Sequence, residues 1–166
     1  MSSPPPILLQ PLDPSHSDQL QSIYDASPEF FALIADRPAP ALQASQDLAA
    51  AAADGARHLL GIFLAGELAG VIDLRFDDPE PPDTYIGLIL LAPPHRRQGN
   101  GTWALRILEA WLRRDTPTEG VVVSVPAPDH AAQSFLASNG YSFTGQSTRM
   151  LAGNRRMRLL QMRKNL

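Results

Sequence analysis

The chain contains no cysteine, which removes disulfides, thiolate–zinc centres and a cysteine nucleophile from consideration. Histidine is scarce as well. His16, His58, His95 and His130 show no metal-ligand spacing, no His-x-x-x-His occurs, and no metal is expected. A Gly-x-Ser-x-Gly elbow is missing, so no serine-hydrolase nucleophile is in view. The absence of Gly-Lys-Ser/Thr excludes a Walker-type nucleoside triphosphate loop. Long apolar runs are also lacking: stretches such as Ile86–Ala92 fall far short of the roughly 20 residues needed to span a bilayer. Met1-Ser-Ser-Pro-Pro-Pro has neither a basic start nor a continuous apolar segment, so no signal peptide is predicted and a cytoplasmic location is expected. Of the 14 basic residues only Lys164 is a lysine. A net charge of −3 and a pI near 5.7 argue against broad binding to nucleic acid or anionic membranes.

What is present suits one compact domain. The 166 residues are 44% hydrophobic, enough for a sizeable core. Proline and glycine together make up 27 positions, about 16%, below the roughly 25–30% of low-complexity disorder. Residues 1–6 read as a flexible lead before a short strand, Ile7–Leu12. Asp13-Pro14 and Ser27-Pro28-Glu29 each give a helix start, and Pro38 and Pro40 stop the second helix. The alanine-rich stretch 41–53 reads as a small-faced packed helix. Leu59–Leu64 and Leu68–Phe76 flank a turn at Ala65-Gly66-Glu67 and predict a hairpin. Pro79, Pro81 and Pro82 make 77–82 a loop. Thr84–Leu91 is an apolar strand ending at Pro93-Pro94. The helix expected over 101–114 carries Trp103, Ile107, Leu108, Trp111 and Leu112 at helical spacing. Val121–Val125 reads as a buried strand with a parallel neighbour, His130–Ser138 as a helix, and Ser142–Leu151 with Arg155–Met162 as a terminal hairpin. The order predicts a mixed α/β (α+β) fold, with a central, mostly antiparallel twisted sheet of six to seven strands flanked by four to five helices.

One segment carries chemistry: Tyr85-Ile-Gly-Leu-Ile-Leu-Leu-Ala-Pro-Pro-His-Arg-Arg-Gln-Gly-Asn-Gly-Thr-Trp103. An apolar strand ends, and a basic, glycine-containing turn opens a helix. Gly99 and Gly101 let the backbone bend tightly and approach a ligand. Free amides over Gln98, Gly99, Asn100, Gly101 and Thr102 then sit at a helix N-terminus, where they and the helix dipole favour a phosphate group. Arg96 and Arg97 add positive charge at the mouth of the turn. The dinucleotide fingerprint fails, because it needs a third glycine at Arg97. A capped strand-to-helix turn with solvated arginines is the plain alternative.

Arg96-Arg-Gln-Gly99-Asn-Gly101 matches the Arg/Gln-x-x-Gly-x-Gly/Ala signature, and Ala131-Ala-Gln-Ser-Phe135-Leu-Ala-Ser-Asn-Gly140-Tyr141 resembles a second motif, Asn-x-x-Ala-x-x-Phe-Tyr-x-x-x-Gly-Phe. With the strand order over residues 7–163, the chain resembles the GCN5-related N-acetyltransferase (GNAT) superfamily. The resemblance implies acetyl-CoA as co-substrate. Its pyrophosphate would rest on the amides of Gln98–Thr102, with Phe135 nearby, and its pantetheine arm would pair with the splayed strand at Ile89, Leu90, Leu91 and Ala92. An amide near Leu91 would polarise the thioester carbonyl. The chain departs from the family at three positions. The tyrosine that often acts as general acid is Leu136, the asparagine that commonly contacts pantetheine is Asp129, and a glutamate base of some members is Tyr85.

Substitutes come from the residues themselves. Asp83, Tyr85 and Gly87 share a strand face by period-two alternation, which makes Asp83 a proton acceptor candidate beside Tyr85. Asp73 on the preceding strand is the other carboxylate, and Ser134 lies near the vacant acid position. Tyr24, Glu29 and Phe30 sit where the superfamily builds its acceptor wall, while Phe31 reads as core. Five acids over 73–83 and six bases over 149–166 read as solvated segments. The function expected is transfer of an acetyl group to a primary amine of a small molecule or peptide by direct attack in a ternary complex. A noncatalytic acyl-CoA sensor and a different acyl donor stay open, as does a homodimer.

Overall fold

In the computed structural model, which describes residues 6–166, the short apolar segments pair into one continuous seven-stranded sheet. In chain order the elements are β1 (Ile7–Pro11), α1 (Ser17–Asp25), α2 (Pro28–Ala35), α3 (Gln43–Ala53), β2 (Arg57–Leu64), β3 (Glu67–Phe76), β4 (Asp83–Leu91), α4 (Asn100–Asp115), β5 (Gly120–Pro126), α5 (His130–Ser138), β6 (Ser142–Ala152) and β7 (Arg155–Asn165). The lead expected over 1–6 lies outside the described residues except at Pro6, whose C=O accepts the Ala65 N–H at 3.3 Å. Spatial order is β1-β2-β3-β4-β5-β7-β6. Every neighbouring pair is antiparallel except β4 and β5, which run parallel as the crossover through α4 requires.

The helix starts follow their sequence signals with one refinement each. Asp13 caps a single 3-10 turn, Pro14–His16, which leads into α1. Proline opens α2, yet the Ser27 hydroxyl does not cap it and donates instead to the Ile23 C=O at 2.9 Å. On α4 the inward face is Ala104, Leu105, Leu108 and Leu112, all fully buried. Trp103 is 37% exposed, with the Arg106 guanidinium 5.6 Å from its ring. The expected apolar stripe is therefore rotated by about one residue, and the indole lies outside the core.

Two apolar layers cover the two sheet faces. α4 and α5 pack with Ile72, Leu74, Ile86, Val121, Val123 and Met162 on one face. Helices α1, α2 and α3 pack with Leu59, Val71, Leu88 and Leu90 on the other. Strand β4 changes its facing midway. Ile86 points to the α4 side, and so do Ile89 and Leu91, while Leu88 and Leu90 point to the α1–α3 side. The cause is a bulge: Asp73 pairs with Leu88 but Leu74 with Ile86, leaving Gly87 as the extra residue. A glycine inside an apolar strand signals such a defect.

β4 and β5 pair only from Asp83–Gly120 to Ile86–Val123. The closed end of this pair is stitched by the Glu119 N–H to Pro82 C=O bond and by Thr84 and Thr118, whose buried hydroxyls lie 2.7 Å apart. Beyond Ile86 the strands part, so one edge of β4 up to Leu91 faces no strand among the described residues. Leu105 sits fully buried in the core on the α4 side of the sheet. Truncating Leu105→Ala should cost about 2–5 kcal/mol of unfolding free energy, read as a lowered midpoint in urea denaturation.

Candidate active site

The loop after β4 is shaped by two left-handed residues. Arg97 has φ +60° and Gly99 φ +82°, and between them they turn the chain so that α4 begins at Asn100. The first bond entering that helix is Trp103 N–H to Gly99 C=O at 3.1 Å. The N–H groups of Gln98, Gly99, Asn100, Gly101 and Thr102 therefore have no acceptor among the described residues. They converge at the positive end of a 16-residue helix, the arrangement that favours phosphate oxygens. The Asn100 side chain, 4% exposed, donates to the His95 C=O at 3.0 Å and fixes the turn from inside. A Cβ on Gly101 would lie 3.3 Å from the Phe135 ring, so glycine there keeps the loop tight against α5. The space beside Gly99 is open, and its glycine serves the positive φ.

Arg97 is exposed and makes no ion pair among the described residues. Arg96 is otherwise engaged. Its Nε donates to the Leu91 C=O at 2.7 Å, its two terminal nitrogens to Ser27 Oγ and the Glu29 carboxylate. Both of those acceptors flank the start of α2. Arg96 therefore ties the end of β4 to the α1–α2 turn and is not free for a phosphate. Partial burial opposes ionisation of Glu29, but hydrogen bonding and charge from Arg96 outweigh it and hold the carboxyl below its ordinary value. No sequence signal could have paired residues 67 positions apart.

The carboxylate candidates are also committed. Asp83 receives the Arg163 guanidinium at 2.9 Å, across Gly120, where any Cβ would collide with Arg163. It stands at the closed end of the β4–β5 pair, eight residues before Leu91, about 26 Å along an extended strand. Asp73 accepts two bonds from Arg57, at 3.1 and 2.7 Å, and Asp47 lies 3.7 Å from the same guanidinium. Asp73's hydrogen bonds hold Arg57 above its ordinary pKa. Strand register and helix packing create these pairs, so alternation alone could not reveal them. Tyr85 lies with its ring 3.5 Å from where a Gly87 Cβ would stand, half-buried at the bulge. The bulge also breaks the simple alternation that grouped Asp83, Tyr85 and Gly87.

The remaining candidates separate cleanly. Tyr24 is 2% exposed and belongs to the core, its hydroxyl donating to Asp47 at 2.8 Å. Phe30 is half-buried and stacks edge-on against the buried Phe31. Asp129 caps α5 by accepting the Ala132 N–H at 3.1 Å. Leu136 is 3% exposed in the core. Ser134 is exposed, since two residues on a helix differ by about 200° and it must face away from Leu136. Among the described residues no three His, Asp or Glu side chains gather as a metal site, and no helix is long and apolar enough to cross a membrane.

A strand divide thus lies next to a helix N-terminus with five amides unpartnered among the described residues, an arrangement suited to an anionic, amide-bearing ligand. The sequence profile of the acetyltransferase (GNAT) family matches residues 18–141, and the chain belongs to that family. It is an acyl-CoA-dependent acetyltransferase. Among solved structures it resembles an acetyltransferase from Thermus thermophilus, with 23% identity, TM-score 0.80, and 96% and 97% of the two chains covered. A Salmonella typhimurium acetyltransferase that modifies the N-terminal serine of ribosomal protein L7/L12 gives 15% identity, TM-score 0.86 and coverage of 99% and 96%. The PaiA N-acetyltransferase of Thermoplasma acidophilum, solved with coenzyme A, gives 13%, 0.69, and 96% and 99%. No curated protein matches in sequence.

Two of the three tyrosines are shut off from water and hydrogen-bonded to carboxylates. Burial first, then Asp47 for Tyr24 and Glu109 for Tyr141, push both phenols well above the ordinary value of 10.0. Because the folded state holds these protons more tightly than the unfolded chain, their contribution is complete below pH 10 and is lost as pH rises beyond it. Ultraviolet titration should show neither Tyr24 nor Tyr141 ionising in the folded protein between about pH 10 and 11, with stability falling as alkalinity increases. Replacing either residue with phenylalanine should leave the folded-state titration step unchanged.

Proposed function

We propose that the enzyme takes its acetyl group from acetyl-CoA and passes it to a primary amine of a small molecule or peptide, by direct attack in a ternary complex. The observation that carries this reading is the set of unpartnered amides from Gln98 to Thr102 beside the open edge of β4. The fit to the co-substrate is chemical. A diphosphate needs several donors and positive charge, which the loop amides, the α4 dipole and Arg97 offer. An amide-rich pantetheine arm needs main-chain partners, which the open edge over Ile89–Leu91 offers apart from the Leu91 C=O, taken by Arg96. Gly101 lets the loop lie close against Phe135 of α5.

The amine approaches from the α1–α3 side, the sheet face to which Leu88 belongs and, next to Ile86 in the strand, Tyr85. Amides of β4 orient and polarise the thioester carbonyl, stabilising the charge that develops on its oxygen. The Tyr85 hydroxyl, which has no partner among the described residues, orients the amine. Asp73 and Asp83 are engaged by Arg57 and Arg163, and the ammonium formed on attack loses its proton to water. The thiolate departs without a dedicated acid, consistent with Leu136 in the core, and positioning supplies most of the rate. Solved acetyltransferases of this fold include one that modifies the N-terminal serine of a ribosomal protein, which supports a peptide amine among the acceptors to be tried.

Gly101→Glu places a negative charge at the amide cluster. Calorimetry should show coenzyme A affinity reduced about tenfold or more, the ratio that ~1.4 kcal/mol of lost charge complementarity gives, with circular dichroism unchanged. Wild-type protein mixed with acetyl-CoA and a panel of amines and amino-terminal peptides should release free thiol. Unchanged affinity in Gly101→Glu would contradict the loop assignment, and tight binding without turnover on any amine would contradict the transfer step.

A further inference from the structure

The β6–β7 hairpin carries charge that the rest of the fold does not answer. Residues 149–166 hold six bases and no acid, whereas the preceding 148 residues hold eight bases and 17 acids. Three of the six bases are used internally. Arg155 donates to the Ala32 and Leu33 carbonyls at the end of α2, Arg163 pairs with Asp83, and Lys164 pairs with the buried Glu109. Arg149, Arg156 and Arg158 are exposed and make no ion pair among the described residues. Period-two alternation from Met162 places Arg156 and Arg158 on the α4–α5 face, and Arg149 stands directly opposite Arg158. Like charges so opposed weaken a strand pair, and three unpaired guanidiniums on one face form a strong anion attractor.

The same strand is an open edge. β6 ends the sheet, and Ser142–Arg149 is exposed on both faces. A bulge over Thr144–Gln146 interrupts its ladder near the start, leaving Ser147–Ala152 in regular register with β7. Apolar surface accompanies the charge. Leu151 is 66% and Phe143 54% exposed, and a hollow of about 230 Å³ is lined by Phe143, Ser147, Arg158 and Leu160. Unpaired main-chain groups, exposed apolar side chains and one sign of charge together describe a strand-addition site rather than a merely solvated hairpin.

We propose that the outer edge of β6, residues Ser147–Ala152, docks an acidic, extended segment of a partner protein. The segment adds as an eighth strand and turns carboxylates toward Arg149, Arg156 and Arg158. A second copy of the chain is disfavoured as the occupant, because antiparallel pairing of two β6 edges would bring their arginines together without a single acid. Nucleic acid is disfavoured by the surplus of acids elsewhere on the chain. The end of β6 reaches α2, where Gly153 packs against Asp36. Docking on this edge does not depend on the reading of the cofactor site.

The test is fluorescence anisotropy on the whole protein, using a labelled dodecapeptide of alternating glutamate and valine. Controls are the lysine–valine counterpart, the acidic peptide N-methylated at every second residue, and single-stranded oligodeoxynucleotide. The acidic peptide should bind, the lysine peptide should not, and N-methylation should weaken binding by removing edge donors. Arg149→Glu with Arg158→Glu should weaken it about tenfold or more, with circular dichroism unchanged. Coenzyme A affinity, measured separately by calorimetry, should be the same in this variant, so a failure of docking is distinguishable from a failure of the cofactor site. Equal binding of the N-methylated peptide, indifference to the charge reversal, tighter binding of the oligonucleotide, or self-association in sedimentation that the reversal abolishes would each overturn the proposal.

Discussion

The parting of β4 from β5 is the feature of the sheet on which the proposed cofactor site depends. Parallel strands hydrogen-bonded along their full length would leave no main-chain groups for a ligand. Here four residue pairs hold, and then the two strands separate. The separation begins at Gly87, the bulged residue itself, which rotates the rest of β4 and sends Leu88 and Leu90 to the opposite face from Ile86. The sheet does not fall apart at this defect because β3 pairs with β4 through Leu91 and the closed end is stitched by threonine hydroxyls and the Asp83–Arg163 bridge. Asp83, one of the carboxylate candidates, is thus bonded at the closed end of the opening.

Arginine makes the other long connections. Arg96 joins the end of β4 to the α1–α2 turn, Arg155 holds the far end of α2 to the β6–β7 hairpin, and Arg57 links β2 to β3 and faces α3 through Asp47. Helix α2 is therefore pinned at both ends by planar guanidiniums that can satisfy several acceptors at once. One consequence is division of labour within a single loop. Arg96 fixes the protein to itself, while Arg97 and the amides remain available to a ligand.

Much of this order was legible in the sequence, for physical reasons that can be named. The run Thr84–Leu91 is too apolar for anything but a buried strand, and Pro93-Pro94 must end it. The loop signature is contiguous, so its residues stay together whatever the rest of the chain does. The terminal hairpin was readable because Gly153 and Asn154 supply a turn between alternating segments. The site's side chains were harder. Asp73 and Asp83 look free in one dimension, and their partners come from 16 and 80 residues away through strand register. Tyr24 looked like a pocket residue, but an aspartate on α3 takes its hydroxyl into the core. Ser134 shared a neighbourhood with Leu136 in sequence and lost it to the 100° step of the helix. Only Gly87 gave a local warning, a glycine where an apolar strand has no use for one.

Coenzyme binding as proposed turns on the amides between Gln98 and Thr102, and amide-resolved NMR addresses them directly. In a titration of the ¹⁵N-labelled protein with coenzyme A, the largest shifts should fall on residues 97–102, with a second group on Ile89–Leu91. Strand β6 should stay still. Large shifts confined to other parts of the chain, or no shift at saturating coenzyme, would contradict the assignment.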